Sequence, residues 1–276
     1  MRWLKQHIKL LSIIGVITIM LFSYYNNQYY AHRVITAIEN DDVDSVRKLM
    51  KSSFGNLNHI PTFWIIEVIG EESKPTPLQA ACKLGNPEIV KLLLDNGADV
   101  NYVYWDKARD SGSPLQNAAS SLSENRLQVI KLLIGHGADV GYESYTGNDA
   151  MSCAVYASFD REDAIAVIEY LENSGMDVFK KYGATQNTLL HKACENDSRT
   201  IIRYLVEKRG FDVNLANADG DTALIYFVRF ASNRSEDTLK FLIESGANLE
   251  AVNKEGKTAY DYSIERHPNF SYLLKP

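Results

Sequence analysis

Residues that build metal and catalytic sites are scarce in this sequence. Its 276 residues include three cysteines and six histidines, with no CxxC pair and no two histidines at metal-ligand spacing. A GxSxG motif and a glycine-rich phosphate loop are also missing. We therefore expect no metal, no cofactor, no small-molecule substrate and no catalytic residues, so the protein should not be an enzyme.

Positive charge is in deficit as well. Asp and Glu number 35 against 29 Lys and Arg, and the formal charge of −6 becomes −9 when Arg2, Lys5 and Lys9 are left out. An acidic chain repels nucleic acid, so we expect no DNA or RNA partner. A basic protein would be attracted, although a charge of this size is also ordinary for a solubilising surface.

The one long apolar run lies near the N-terminus. Residues 10–25 carry no charge, basic residues precede them, and Trp3, Tyr24 and Tyr25 flank them. These features favour an uncleaved transmembrane signal anchor, with residues 1–9 in the cytoplasm. A cleaved signal peptide and a buried core helix are the alternatives, and the missing small residues at a cleavage site weigh against the former. Since acidic residues follow the run, we expect a single-pass inner-membrane protein whose remaining chain is periplasmic.

A short motif recurs along the rest of the chain. Thr76–Ala81 (TPLQAA) returns as Ser113–Ala118 (SPLQNA) and as Thr188–Ala193 (TLLHKA), and an apolar run ending in glycine follows each motif. Thr and Ser suit the N-cap of a helix, proline suits its first turn, and glycine suits the left-handed residue after a helix. A repeat period of roughly 20–50 residues is typical of a stacked solenoid.

On these motifs the sequence resembles the ankyrin-repeat family. The resemblance implies an all-α solenoid of helix–turn–helix repeats with return loops, here preceded by one transmembrane helix. We expect an N-terminal cap repeat with an inserted loop over 26–73, five repeats over 74–255 and a C-terminal cap over 256–276. His191 matches the position where ankyrin repeats often carry a histidine that bonds to the next turn. The family further implies that the protein binds other proteins.

The cysteines fit this arrangement. Cys82 and Cys194 follow a first-helix alanine at the same repeat position, where a small apolar residue is expected. Because equivalent positions several repeats apart cannot be bridged, we expect buried reduced thiols and no disulfide.

The resemblance also locates a candidate binding surface. Partners of ankyrin proteins lie along the concave side made by the return-loop tips and the first helices, and the first three tips here are rich in aromatic residues. Tyrosine and tryptophan are enriched at binding hot spots, although aromatic residues in loops also pack on adjacent repeats. The candidate partner-binding residues are Trp64, Tyr102, Tyr104, Trp105, Tyr142, Tyr145, Phe179 and Tyr182. Trp64 lies in an apolar stretch that matches no repeat and either covers repeat 1 or is offered to a partner or the membrane surface.

These features predict a membrane-anchored module for protein–protein interaction in the periplasm. One hypothesis is an immunity-type protein that neutralises a toxic effector. The alternative is an inner-membrane scaffold or assembly factor for an envelope enzyme. A host-directed effector and a eukaryotic type II membrane protein are further hypotheses that the sequence leaves open.

Overall fold

A computed structural model describes most of the chain after residue 28. The described residues are 15–18, 26–27, 29–51, 57–58, 75–103, 105–106, 109–110, 112–157, 161, 163–231 and 235–275, with backbone only for 105–106 and 109–110.

Helices arranged in antiparallel pairs make up the described part of the chain. An N-terminal pair covers 29–39 and Val43–Lys51. Five repeats follow, each with a first and a second helix. These helices are Pro77–Leu84 and Pro87–Asp95 in repeat 1, Pro114–Ala119 and Arg126–Gly135 in repeat 2, and Ala150–Tyr156 and Asp163–Asn173 in repeat 3. They are Leu189–Glu195 and Arg199–Arg203 in repeat 4, and Ala223–Phe230 and Glu236–Glu244 in repeat 5. A helix at Ala259–Arg266, a 3₁₀ turn at Pro268–Phe270 and a short helix at Ser271–Leu274 end the chain. The expected all-α solenoid of stacked repeats is confirmed for these residues.

The first helices begin where the motif predicts. The Thr76 hydroxyl accepts the backbone N–H of Gln79, and the Gln79 side chain accepts the N–H of Thr76, which completes a capping box. Ser113 and Thr188 form the same box, and so does Asp149, where the motif is poorest. A carboxylate therefore replaces the hydroxyl in repeat 3 without moving the start of the helix.

The second helix of repeat 4 contains one extra residue. Tyr204–Lys208 forms a π-helical turn, in which the N–H of Arg209 donates to the carbonyl of Tyr204 at 3.2 Å. The closing bond runs from Phe211 N to Leu205 O across six residues, whereas in repeat 1 it runs from Ala98 N to Leu93 O across five. The π turn absorbs the insertion and keeps Leu205 in the core.

Apolar side chains of both helix layers form one continuous core along the repeats. Cys82 and Cys194 are fully buried within it, and Cys153 is half-buried; all three are free thiols. Burial raises the pKa of the Cys82 and Cys194 thiols, so both are protonated at neutral pH.

One of the return loops contains a small β-hairpin. Trp105–Asp106 pairs antiparallel with Arg109–Asp110 in the loop between repeats 1 and 2. This is the longest of the return loops, because Ser113 lies 16 residues after Gly97 whereas Thr222 lies 12 residues after Gly210. The extra residues give the strands room to pair.

Most of the predicted membrane anchor lies outside the described residues. Within 10–25, the structure describes only the helical residues 15–18. In the part of the chain that is described, no helix combines the length and apolarity needed to cross a bilayer. The transmembrane segment therefore stays a prediction from the sequence.

Candidate partner-binding surface

The repeats are joined by a row of buried hydrogen bonds that fix the return loops. Three residues after each N-cap, the Gln79 amide donates to Gly112 O at 2.8 Å, the Gln116 amide to Asn148 O at 2.7 Å, and His191 Nε2 to Asp221 O at 2.9 Å. Each bond runs from a first helix to the loop that precedes the next repeat. His191 thus makes the contact that the resemblance implies.

Burial lowers the pKa of His191 below its ordinary value, because the imidazole is enclosed between repeats 4 and 5. Its Nδ1 accepts the backbone N–H of Thr188 at 3.2 Å. With Nε2 donating to Asp221 O, the neutral ring satisfies both nitrogens. A proton on Nδ1 would end the bond from the Thr188 N–H and leave the Thr188 hydroxyl, at 2.8 Å, as the partner of Nδ1. His191 is therefore a structural residue.

Asparagine side chains fasten successive return loops to one another. Asn101 Nδ2 donates to Gly137 O at 3.0 Å, and Asn101 Oδ1 accepts the N–H of Asp139 at 2.8 Å. Asn214 makes the same two bonds to Gly246 and Asn248. These clasps hold the loop tips of repeats 1 and 4 against the next repeat.

Phe179 stands at the position of this clasp in repeat 3. Its ring stacks on Phe211 of repeat 4, with 4.9 Å between ring centroids and 22° between ring planes. The side chain is nevertheless 53% exposed. Phe179 therefore both joins two repeats and presents an aromatic edge to solvent.

A polar network fixes repeats 4 and 5 to the C-terminal helix. The buried Asp221 carboxylate accepts Arg229 Nη1 at 3.0 Å and Asn253 Nδ2 at 2.7 Å. Asn253 Nδ2 also donates to the hydroxyl of Tyr262 at 3.0 Å, and Arg229 lies over the Tyr262 ring. Since the charge of Asp221 is matched by Arg229, the network satisfies its buried carboxylate.

The structure separates the eight candidate partner-binding residues into three groups. Tyr145 is 82% exposed, Phe179 is half-exposed, and Tyr102 and Tyr142 are half-buried. Trp64 and Tyr104 lie outside the described residues, as does the side chain of Trp105.

Tyr182 forms the third group, because it is only 2% exposed. Its backbone pairs with Asn187 on both sides, at 2.7 Å and 3.1 Å, which turns the ring into the interior. Burial raises the pKa of its hydroxyl. Tyr182 is therefore a core residue and cannot contact a partner.

Exposed apolar residues occur in the return loops that follow repeats 2 to 5. Tyr145 and Phe179 are continued by Leu215 and Val252 in the loops after repeats 4 and 5, and all four are exposed. We call these four residues the return-loop row. The two aliphatic side chains thus extend the exposed apolar surface beyond the aromatic tips of the first three repeats.

A second set of exposed apolar residues was missed by sequence reasoning. These residues lie at the C-terminal ends of the first helices or just after them; they are Leu84, Leu122, Tyr156, Phe230 and Ile264. Identifying the helix positions that face away from the core would have found the four residues that lie within helices. By contrast, no large apolar side chain is exposed on the second helices of the five repeats, within the residues described.

Within the five repeats, the distribution of described exposed apolar residues is thus one-sided, because they lie in the return loops and on or just after the first helices; Tyr29 and Tyr272, at the two ends of the solenoid, belong to neither set. Contiguous exposed apolar surface marks binding sites, whereas scattered single residues do not. In the described residues, no three His, Cys, Asp or Glu side chains are grouped so that they could hold a metal ion.

The model of the ankyrin-repeat family matches this sequence three times, over residues 34–144, 115–217 and 153–250. The chain belongs to the ankyrin-repeat family. Ankyrin repeats typically serve as interaction modules, so a protein partner is the expected ligand of the one-sided surface.

Curated relatives match this chain over a small part of their own length. An ankyrin repeat protein of Acanthamoeba polyphaga mimivirus is 31% identical over 173 residues, which is 60% of this chain and 21% of the relative. Protein phosphatase 1 regulatory subunit 12A of Mus musculus is 29% identical over 93 residues, which is 34% of this chain and 9% of the relative. The matched segment therefore spans about a fifth or less of these relatives.

Two of the solved structures that resemble the solenoid cover most of this chain. One is the immunity protein Bd3460 in complex with the predatory endopeptidase Bd0816 from Bdellovibrio bacteriovorus, with a TM-score of 0.55 and 29% identity over 74% of this chain and 98% of that chain. The other is the human ASB11 ankyrin repeat domain, with a TM-score of 0.67 and 22% identity over 88% of this chain and 97% of that chain. The second likeness concerns the fold alone.

Proposed function

We propose that this ankyrin-repeat protein is an immunity-type protein that binds a toxic hydrolase and neutralises it. The observation that carries the proposal is the one-sided distribution of exposed apolar residues, which gives the concave side a surface for a protein partner. The similarity to an immunity protein bound to an endopeptidase supports neutralisation as the purpose of binding. An endopeptidase is accordingly the first class of hydrolase to assay.

The proposed mechanism is occlusion. Tyr145 and Phe179 contribute large apolar areas with few rotatable bonds, and the clasps and buried bonds between repeats hold the loops in place before the partner arrives. A preorganised surface loses little entropy on binding. The bound ankyrin domain then blocks access to the hydrolase.

We further propose that residues 10–25 tether the protein to the inner membrane, with the repeats in the periplasm. The uncharged run and the basic residues before it support this orientation. A C-terminal alkaline phosphatase fusion should be active and a cytoplasmic fluorescent fusion dark. The reverse pattern would place the repeats in the cytoplasm.

Gene deletion tests the immunity function. Cells that lack this protein should be poisoned only when the cognate hydrolase is present, and a catalytically dead hydrolase should relieve the toxicity. If deletion instead lowers an envelope activity in cells without any toxin, the protein is an inner-membrane scaffold or assembly factor.

A further inference from the structure

The two helices of the N-terminal pair, 29–39 and Val43–Lys51, run antiparallel and so have two distinct ends. The hydroxyl of Tyr30 donates to the carbonyl of Leu49 at 3.2 Å, which places the start of the first helix beside the end of the second. The turn that joins the helices lies at the other end. Four exposed residues beside Tyr30 and Leu49 are called the cationic end: Tyr29, Arg33, Lys48 and Lys51.

Positive and negative charges are separated between these two ends. Residues 29–36 and 47–51 contain four Arg or Lys residues and no carboxylate, whereas residues 37–46 contain four carboxylates and no Arg or Lys. The neighbouring segment 87–99 of repeat 1 adds three carboxylates and one lysine. With every one of these side chains counted, residues 29–36, 47–51 and 87–99 together keep a net charge of +2.

Contacts within the structure leave most of this positive charge without a carboxylate. Arg47 donates to Asp44 at 3.2 Å and to Glu88 at 2.5 Å. The Arg33 guanidinium instead lies over the ring of Tyr29, 5.7 Å from its centroid. In the described part of the chain, the three basic residues of the cationic end form no ion pair.

Helix dipoles account for the charge order in only one of the two helices. In Val43–Lys51, Asp44 lies in the first turn and the lysines lie in the last, as the dipole favours. The first helix ends at Glu39, however, where a carboxylate is disfavoured. The charges therefore follow the end of the pair at which they lie and not the direction of each helix.

A groove of about 610 Å³ lies between the two helices. Arg33, Lys48 and Tyr29 line it, and guanidinium and ammonium groups are the usual protein donors to phosphate oxygens. Asp42 lines it as well, next to the turn, and its carboxylate accepts the N–H of Ser45 at 2.9 Å. Since Asp42 keeps its negative charge, an anion is favoured only at the end of the groove away from the turn.

The cationic end follows closely on the predicted membrane segment. Tyr29 lies four residues after Tyr25, the last residue of the apolar run, so the two are at most about 14 Å apart. The headgroup layer of one leaflet is about 5–8 Å thick. A chain whose residues 10–25 span the bilayer thus holds Tyr29 in the headgroups or within about 10 Å of them. Tyr29 is 58% exposed, and tyrosine is enriched at this depth.

We propose that the cationic end docks on the bilayer surface and binds anionic lipid headgroups. Arg33, Lys48 and Lys51 contact the phosphate oxygens, and Tyr29 lies at the interface. The proposal rests on the proposed membrane tether, which brings this end to the surface. A cation near an anionic leaflet strengthens surface binding about fivefold, so three cations favour the docked end by about 100-fold.

The test reconstitutes the full chain into nanodiscs of neutral phosphatidylcholine, or of phosphatidylcholine and anionic phosphatidylglycerol in equal parts. A water-soluble amine reagent labels the lysines, and mass spectrometry gives the rate at each one. Protection is the rate in neutral bilayers divided by the rate in anionic bilayers. We expect protection of at least about tenfold at Lys48 and Lys51, because headgroups cover them, and its loss at high salt. Lys131 and Lys208, exposed on second helices of repeats 2 and 4, should react equally in both bilayers.

The decisive variant is Arg33→Glu, which leaves both reporter lysines in place. It should lower the protection of Lys48 and Lys51 by at least about fivefold, since it replaces an attraction by a repulsion. The matched control is Lys254→Glu, which makes the same charge change at an exposed residue after repeat 5 and should keep the native protection. If Arg33→Glu does not fold, Arg33→Gln replaces it.

Equal labelling of Lys48 and Lys51 in the two bilayers would overturn the proposal. Protection that Arg33→Glu leaves unchanged would also overturn it, because a tether without docking gives that result. Inorganic phosphate added to neutral bilayers should protect neither lysine; protection by phosphate would assign a site for the free anion and overturn the lipid contact.

Failure of the docking is distinguishable from failure of the proposed function. Alkaline carbonate should leave the full chain in the bilayer, and its release would overturn the tether and the docking together. Retention with equal labelling would overturn the docking alone. Neutralisation of a hydrolase is measured separately, by its activity, and stands or falls independently of both.

Discussion

Phe179 offers the sharpest test of the return-loop row, because it has a structural contact and an exposed face. Replacing it by Ala removes the stack on Phe211, whose centroid lies 4.9 Å away, and leaves a gap between repeats 3 and 4. Such a stack contributes about 0.5–1.5 kcal/mol beyond area burial, so we expect Phe179→Ala to lower the free energy of unfolding by about 1–2 kcal/mol. Urea denaturation followed by circular dichroism measures this loss.

Stability and binding are separated by a second substitution at the same site. Asn101 and Asn214 occupy the equivalent position four residues after the helix-ending glycine, and each makes two bonds to the next loop. Phe179→Asn should therefore form the same clasp to Gly210 and Asp212 and stay within about 0.5 kcal/mol of the native stability. It still removes the exposed aromatic edge.

Tyr145 completes the comparison. At 82% exposure, Tyr145→Ala should change stability by less than about 0.5 kcal/mol and weaken partner binding by more than about 1 kcal/mol. Phe179→Asn should weaken partner binding by a similar amount, as calorimetry with the purified partner would show. Native affinity in both variants would refute the assignment of the return-loop row as the binding surface.

Three further predictions concern the buried groups. Asp221→Ala should lower the free energy of unfolding by about 1–3 kcal/mol in urea titrations, because Arg229 and Asn253 lose a buried acceptor while Arg229 keeps its ion pair with Glu255; a loss below about 0.5 kcal/mol would contradict this. Since burial lowers the pKa of His191 in the folded state, the folded chain binds fewer protons than the unfolded chain, and stability should fall as the pH drops from about 7.5 through the unfolded value near 6.5. His191→Gln, which keeps the bond that glutamine makes in repeats 1 and 2, should reduce this loss in thermal melts, and an unchanged pH profile would contradict the reasoning. Alkylation followed by mass spectrometry should label half-buried Cys153 first and Cys82 only after denaturation; rapid labelling of Cys82 in the folded chain would show that the repeats open.

The helix starts could be predicted from the sequence because the information is local. A Thr, Ser or Asp at the N-cap and a bonding residue three positions later need only one turn of chain to form a box, as at Thr76 and Gln79. The stacked solenoid was predicted from the regular spacing at which the motif recurs. Local chemistry repeated at regular spacing was thus enough to predict the fold.

Side-chain direction in the return loops could not be predicted in the same way. Tyr182 resembles an exposed loop aromatic, yet the equivalent positions, seven residues after the glycine, hold buried Asn217 and Asn253. Whether a side chain at that position faces solvent depends on pairing with the next segment, here Asn187, and not on local propensity. Tyr145 lies one residue beyond Ser144, which holds the equivalent position in repeat 2, and it is exposed.

We propose that the side formed by the return loops and first helices binds a toxic hydrolase and blocks it. The most direct measurement captures the partner from native cells with the full chain, purifies it, and follows its hydrolase activity as the full chain is added. We predict loss of activity at stoichiometric addition, with the inhibition curve shifted to higher concentration for the Tyr145→Ala, Phe179→Asn double variant. A captured hydrolase that stays active when saturated, or that is inhibited equally by the double variant, would contradict the account.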